Sequence, residues 1–417
     1  MKRFICALGL FLGLSTPAWA DAVSDLQQRV EQLARVVQEL HATVQTQQQR
    51  IAELEAGRAQ PSVAASPAGQ VPAGRLEALQ RQAASSLSAF NPEIGVLADL
   101  TGQLSESGAD AEGNDKLSVR ELELIVGHPI DPYSRLDTTI TFSDFENPVV
   151  EEAYLTHWGL PAEVKARLGR IRPKIGKATA IHRDQLETAD EPLVVQKYLG
   201  NEGLFRTGLE LSGFLPLPWT SVTHELTAGV MEGGIGEGGT LFGATRRRPS
   251  FYAHLKNFWD ITDASNLELG ATYLVGSSDA DASFEVNALG VDATVVHFVT
   301  PTNKLKWQNE LYVQDREETD AGVQNNPWGF YSLLDYRLSP RVGIGGRVDY
   351  VEPVGLDPAV VARDADTAWS GYLTFYQSEF ARWRLQYRHT DFADGGDDNT
   401  LFVQGTVAVG VHKHQLQ

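Results

Sequence analysis

From about residue 93 onward, apolar and polar residues alternate with a period of two. In Ala381-Arg382-Trp383-Arg384-Leu385-Gln386-Tyr387-Arg388, one face carries Trp, Leu and Tyr while the other carries Arg, Arg, Gln and Arg. Successive side chains of a strand point to opposite faces, so this pattern predicts strands lying between two different solvents. It recurs over 93–104, 117–127, 133–144, 148–158, 163–173, 203–213, 220–231, 250–260, 266–276, 285–299, 303–314, 327–338, 341–351, 367–377, 380–390 and 399–411. That is about sixteen segments, each long enough for a tilted strand to cross a hydrocarbon layer. The apolar faces end again and again in aromatic residues. Short connections, such as Ser339-Pro340 and Ser378-Glu379, alternate with longer ones rich in Gly, Asp and Glu. The pattern predicts an all-β transmembrane barrel of about sixteen antiparallel strands.

The parity of each strand assigns its faces. Leu136, Ile140, Phe142, Phe251, Leu255, Trp259, Leu269, Tyr273, Trp307, Leu311, Trp383, Leu385, Tyr387 and Val403 fall on the apolar side. Arg135, Asp137, His254, Lys256, Glu268, Lys306, Gln308, Glu310, Arg347, Asp349, Arg382, Arg384, Gln386 and Arg388 fall on the polar side. Charge on a lipid face costs about 2–4 kcal/mol at the midplane, so the polar set belongs in the lumen. A charged lumen in a barrel of this size implies a water-filled channel.

Ahead of the strands the period changes. Val30, Val37, Val44 and Ile51 occupy one heptad position; Leu26, Leu33, Leu40, Gln47 and Leu54 occupy the other. Spacings of four and three without a break predict an α-helical coiled coil over residues 21–56 that joins identical chains. β-branched residues at one position with Leu at the other favour two strands, and the buried Gln47 leaves three open. A single amphipathic helix lying on the barrel is the plainer alternative. Residues 57–92 read as a Pro/Gly-rich linker with a short helix near its end, and 93–417 as the barrel.

Residues 1–20 read as a cleavable signal peptide: Lys2 and Arg3, the apolar run Phe4 to Leu14, then Ala18-Trp19-Ala20. Export places the barrel in a bacterial outer membrane and the coiled coil in the periplasm. The single cysteine, Cys6, lies within that leader, so the mature chain has no disulfide or thiolate metal site. Mean hydropathy is only −0.22, as alternating strands require. The formal net charge of −19 argues against nucleic-acid binding.

Few motifs point to chemistry. Gly234-Ile235-Gly236-Glu237-Gly238-Gly239 follows no parallel strand and opens no crossover helix, so it reads as a flexible loop rather than a nucleotide site. Arg246-Arg247-Arg248 is a basic run suited to lipopolysaccharide phosphate, or a simple solvated run. The acidic stretches Asp110 to Asp115 and Asp394 to Asp398 lack calcium-loop spacing, and His412 with His414 does not make a closed metal site. No hydrolase signature occurs. No cofactor and no catalytic residue are expected.

The longest connection, 174–202, mixes charged residues with Ile175, Ile181, Leu186, Leu193, Val194, Val195, Tyr198 and Leu199. A solvated loop has no use for that apolar content, which predicts that the segment folds into the barrel and narrows it. An extracellular cap or an oligomer contact is the alternative. Around it, Arg167, Arg170, Arg172, Lys174, Lys177 and Arg206, with Arg382, Arg384 and Arg388 across the lumen, are the candidate selectivity residues. Strict alternation turns Arg170 and Arg172 outward unless a bulge intervenes. Inward basic residues outnumber inward acids, which predicts a mild preference for anions.

Ala166-Arg167-Leu168-Gly169-Arg170-Ile171-Arg172-Pro173-Lys174-Ile175-Gly176, preceded by Val150-Glu151-Glu152-Ala153-Tyr154-Leu155 and followed by Glu191-Pro192-Leu193-Val194 and Gly203-Leu204-Phe205-Arg206-Thr207-Gly208, resembles the phosphate-selective porin family. The resemblance covers residues 117–213 and elsewhere rests on pattern. It implies a trimer of sixteen-stranded barrels for passive uptake of small hydrophilic solutes. Phosphate selectivity does not carry over, because the family's lysine-rich constriction has no counterpart residue by residue. Two other readings stay open: a structural anchor whose barrel only tethers the coil, and a barrel-embedded hydrolase. Such barrels end in an aromatic residue, whereas this chain ends Val411-His412-Lys413-His414-Gln415-Leu416-Gln417, which leaves the last strand's position open.

Overall fold

The computed structural model describes residues 92–410 except 107–114, 145–146, 220, 244–246, 319–322, 324 and 356–362. The predicted leader, the coiled-coil positions Leu26, Val30, Leu33, Val37, Leu40, Val44, Ile51 and Leu54, the linker, and His412 and His414 lie outside the described residues.

Sixteen strands follow one another: β1 (Glu93–Ser105), β2 (Asp115–Asp131), β3 (Ser134–Phe142), β4 (Val149–His157), β5 (Lys165–Ile171), β6 (Arg206–Phe214), β7 (Val222–Met231), β8 (Ser250–Thr262), β9 (Ser265–Ser277), β10 (Glu285–Phe298), β11 (Lys304–Arg316), β12 (Trp328–Ser339), β13 (Val342–Val351), β14 (Asp366–Ser378), β15 (Ala381–Asp391) and β16 (Asp397–Gly410). Each pairs antiparallel with its sequence neighbours. β16 closes the sheet on β1 from Gly95↔Gly410 to Ser105↔Thr400, which settles the position of the last strand. Closure leaves no edge, so every strand finds its hydrogen bonds within the wall.

Parity holds around the barrel. Leu385, Trp383 and Tyr387 are exposed on the outside, whereas Arg382, Arg384 and Gln386 are buried inside. Outer aromatics gather toward the two ends. Trp328, Phe330 and Tyr350 stack near the long-loop end, with centroids of Trp328 and Tyr350 4.6 Å apart, and Trp369 leans on Tyr387 at 5.3 Å. Aromatic girdles around an apolar band are what a lipid-facing wall requires.

Three expectations are corrected. β2 runs to Asp131, beyond the expected stop at 127. The ladder with β3 passes Pro129, and its register slips between Pro129 and Asp131, where Pro supplies no N–H. The long connection is 172–205 rather than 174–202, because the chain leaves the sheet at Ile171. Alternation therefore stops governing before Arg172, which turns inward without any bulge in its own strand. Bulges occur instead on the facing strands. Glu151 is the extra residue opposite Thr139/Ile140, and Arg120 is the extra residue opposite Asp99/Leu100. The first brings the adjacent Glu151 and Glu152 both into the interior, and the second does the same for Arg120 and Glu121.

Candidate functional site

Segment 172–205 lies inside the barrel. Its apolar residues Ile175, Leu186, Val194, Tyr198 and Leu199 are buried in one cluster with Tyr252, Leu274, Val286, Tyr312, Tyr331, Val351 and Tyr372 of the wall. Burial of this apolar surface, at roughly 25 cal/mol per Å², is the main force that docks it.

Polar contacts fix its position. At its start, Gly176 adopts φ +57, and its backbone passes so close to Glu310 and Tyr312 that any Cβ would collide. The Glu310 carboxylate accepts the Lys177 and Ala178 N–H groups, both at 3.2 Å. Lys177 pairs with Glu268, and Glu187 with Lys306 at 2.6 Å. On the β13–β15 side, Arg347 pairs with Asp190 at 2.9 Å and with Asp349 at 2.7 Å, and Arg388 also reaches Asp190 at 2.9 Å. Arg384 donates to the carbonyls of Thr188 (2.7 Å) and Leu186 (2.8 Å), and Arg382 to that of Asp184.

On the β2–β4 side the wall is acidic. Glu121 meets Arg183 at 3.1 Å. Arg172 lies 3.4 Å from Glu151, and its N–H donates to Glu152 at 3.2 Å. His182 stands among Glu123, Glu151 and Glu152. Burial and the Arg172 guanidinium oppose charge on His182, yet Glu123 and its neighbouring carboxylates raise its pKa well above the usual imidazole range. The field at that point favours a cation. Elsewhere in the segment, burial pushes Glu191 up to about 7 and brings Lys174 and Lys177 down to about 8. Asp190 goes the other way: burial opposes its charge, but Arg347 and Arg388 hold it well below the carboxylate range.

Two cavities flank the segment along this wall. One of about 460 Å³ opens toward the long loops and is lined by Lys116, Arg120, Arg183, Asp190, Glu202 and Arg388, among others. The other, about 140 Å³, lies toward the short turns and is lined by Ile125, Thr139, Tyr154, Arg167, Lys174 and His182, among others. Between them stand Glu121–Arg183 and the His182 cluster.

The candidate selectivity residues fall into three groups. Arg167 (paired with Glu210 at 2.6 Å), Arg172 and Lys174 line the smaller cavity, and Arg388 lines the larger. Arg382, Arg384 and Lys177 are engaged in holding the segment. Arg170 and Arg206 line a third cavity, of about 690 Å³, beside the glycine run: Arg170 sits over Phe205 at 4.9 Å, and Arg206 donates to the Ile235 carbonyl. The glycine run is not a free loop, since Gly236 donates to Leu199 (3.0 Å) and Glu237 accepts from Asn201 (2.8 Å), backing the inserted segment. Arg247 and Arg248 pair with Asp281 and Glu285. Sequence reasoning missed the acidic wall. Arg120-Glu121-Leu122-Glu123-Leu124 already placed two glutamates on lumen parity, but nothing marked them as partners of a loop some sixty residues away.

No family model matches the chain. An uncharacterized protein of Aquifex aeolicus (strain VF5) is 27% identical over 290 residues; the alignment covers 63% of this chain and 61% of that protein's length. Among solved structures, OprB of Pseudomonas putida is similar with a TM-score of 0.55 at 10% identity, covering 79% of this chain and 97% of that one. An anion-selective porin from Comamonas acidovorans is similar with a TM-score of 0.52 at 8% identity, covering 76% and 99%. At such identities the likeness concerns the fold, a sixteen-stranded barrel shared with outer-membrane porins.

Proposed function

We propose that this chain is an outer-membrane porin through which small hydrophilic solutes, anions preferentially, diffuse down their gradients without catalysis. The observation that carries this reading is the pair of polar cavities above and below the inserted segment on the β1–β4 side. The apolar packing of the segment against β8–β14 supports a passage confined to the opposite, acidic side. There the segment narrows the lumen, and Glu121, Arg183, Arg172 and His182 stand where it meets the wall. Lys116, Arg120, Arg183 and Arg388 at the mouth, and Arg167, Arg172 and Lys174 below, support anion entry. The solved neighbour described as anion-selective is consistent with this. Arg382 and Arg384 act as positioning residues, since each donates to carbonyls of the inserted segment.

The N-terminal heptads would join identical chains in the periplasm, as a trimer by the family resemblance or a dimer by the heptad rule, with outer-membrane lipid and lipopolysaccharide around the barrel. The test is planar-bilayer recording of the purified chain in a KCl gradient. Stepwise conductance with an anion-directed reversal potential is expected; clear cation selectivity refutes the preference, and no conductance refutes the channel. The extensive filling of the lumen favours one second reading, an anchor whose barrel tethers the coiled coil. Liposome swelling separates the two, because an anchor admits no sugars.

A further inference from the structure

We propose that His182, Glu123 and Glu151 form a site for a divalent transition-metal ion of the Zn²⁺ class, which clasps the inserted segment to the barrel wall. The three ligand-bearing atoms lie within 4.8 Å of one another, and all three residues are buried. His182 Nδ1 is 3.3 Å from a Glu151 carboxylate oxygen and 3.6 Å from a Glu123 oxygen. Zinc bonds of about 2.0–2.1 Å at a tetrahedral angle place neighbouring ligand atoms roughly 3.3 Å apart. Two of the three separations thus already approach a tetrahedral edge.

Three further features point to a metal rather than a plain acidic cluster. The outer nitrogen of the imidazole, Nε2, lies 3.1 Å from Glu152. A carboxylate there fixes the tautomer whose Nδ1 lone pair faces the ligand site, the usual support for a metal-bound histidine. Glu123 Oε1 is deeply buried and accepts no hydrogen bond. With only the His182 ring nearby, at 3.6 Å and too far for a hydrogen bond, such an oxygen is costly to bury unless a cation comes closer. Charge balance agrees: Glu121 is matched by Arg183, which leaves Glu123, Glu151 and Glu152 against Arg172 and the His182 ring, an excess of negative charge to be met even when the ring carries its second proton. With a neutral imidazole, a divalent ion cancels the remainder. The 140 Å³ cavity beside His182 gives the ion an approach and a water for the fourth position.

The ligands come from β2, β4 and the segment, so a bound ion bridges the inserted segment to the barrel wall. It also stands between the two cavities. The inference is independent of whether solutes pass, because binding is measured directly.

The test is calorimetric titration of the detergent-solubilised full chain with ZnCl₂, in a background in which His412 and His414 are alanine so that the tail cannot bind. One ion per chain is expected. His182→Gln should abolish binding. Glu152→Gln, which keeps all three ligands, should weaken it by roughly 10–100-fold, as loss of such a support does elsewhere. Glu123→Gln, an isosteric change on a barrel strand, serves if His182→Gln does not fold, and it too should remove the tight site. No binding by the parent, or unchanged stoichiometry and affinity in the folded variants, overturns the proposal.

Discussion

The Arg347 guanidinium on β13 meets the Asp190 carboxylate on the inserted segment at 2.9 Å, and both residues are buried. Asp190 is shared, since Arg388 reaches it at 2.9 Å and Gln386 donates to it at 2.5 Å. One loop carboxylate therefore ties two strands of the wall to the segment that crosses the lumen.

Asp190→Asn should loosen that segment while leaving the barrel intact. Removing one member of a buried ion pair costs about 3–5 kcal/mol, because the partner charge stays buried. Hydrogen exchange of the backbone around 186–196 should quicken while strand amides keep their protection, and single-channel noise should rise. Unchanged protection would count against the segment being held this way.

Docking of the segment should depend on pH through Glu191. Burial raises this carboxyl to about 7 from an ordinary value near 4.5. Between those values the docked segment holds a proton that the released segment has lost, so docking weakens as pH rises from about 4.5 to 7. Lys174 and Lys177, lowered to about 8 from 10.5, act with the opposite sign and strengthen docking between those values. Limited proteolysis should quicken as pH rises from about 4.5 to 7. Glu191→Gln should flatten the acid limb, and an unaltered limb would remove Glu191 from the account.

Gly176→Ala should undock the start of the segment. The residue holds φ +57, and its Cβ would run into the Glu310 carboxylate, which accepts two backbone N–H groups there. Left-handed strain alone costs of order 1–3 kcal/mol. Gly371→Ala, with nothing within 4 Å, is the control and should stay within about ±0.5 kcal/mol by thermal unfolding in detergent.

Leu385→Arg tests the solvent outside. Leu385 is exposed between the buried Arg384 and Gln386. An arginine at the midplane of a lipid-facing strand costs about 2–4 kcal/mol, whereas on a water-facing strand it costs almost nothing. Equilibrium refolding into lipid vesicles reads the difference directly.

Lys174→Gln and Arg384→Gln should separate selectivity from positioning. Lys174 lines the smaller cavity, so its loss should move the reversal potential toward cations with little added noise. Arg384 holds the Leu186 and Thr188 carbonyls, so its loss should add noise with a smaller change in selectivity.

Period-two alternation was enough to predict about sixteen strands, their antiparallel order and which face of each points outward, because those depend on neighbours one and two residues apart. The apolar content of Ile175, Leu186, Val194 and Tyr198 marked the long connection as one that must bury itself. Alternation also assigned Arg382, Arg384 and Arg388 to the lumen, but not what they hold there. That Asp190 meets Arg347, that His182 enters a nest of three glutamates, and that a bulge turns both Glu151 and Glu152 inward were decided only by closure of the barrel. Closure joins residues tens to hundreds of positions apart, and a bulge shifts parity by one without leaving a mark in the local pattern. The wall is therefore legible in the chain, while the partners of the segment inside it exist only once the sheet has curled shut.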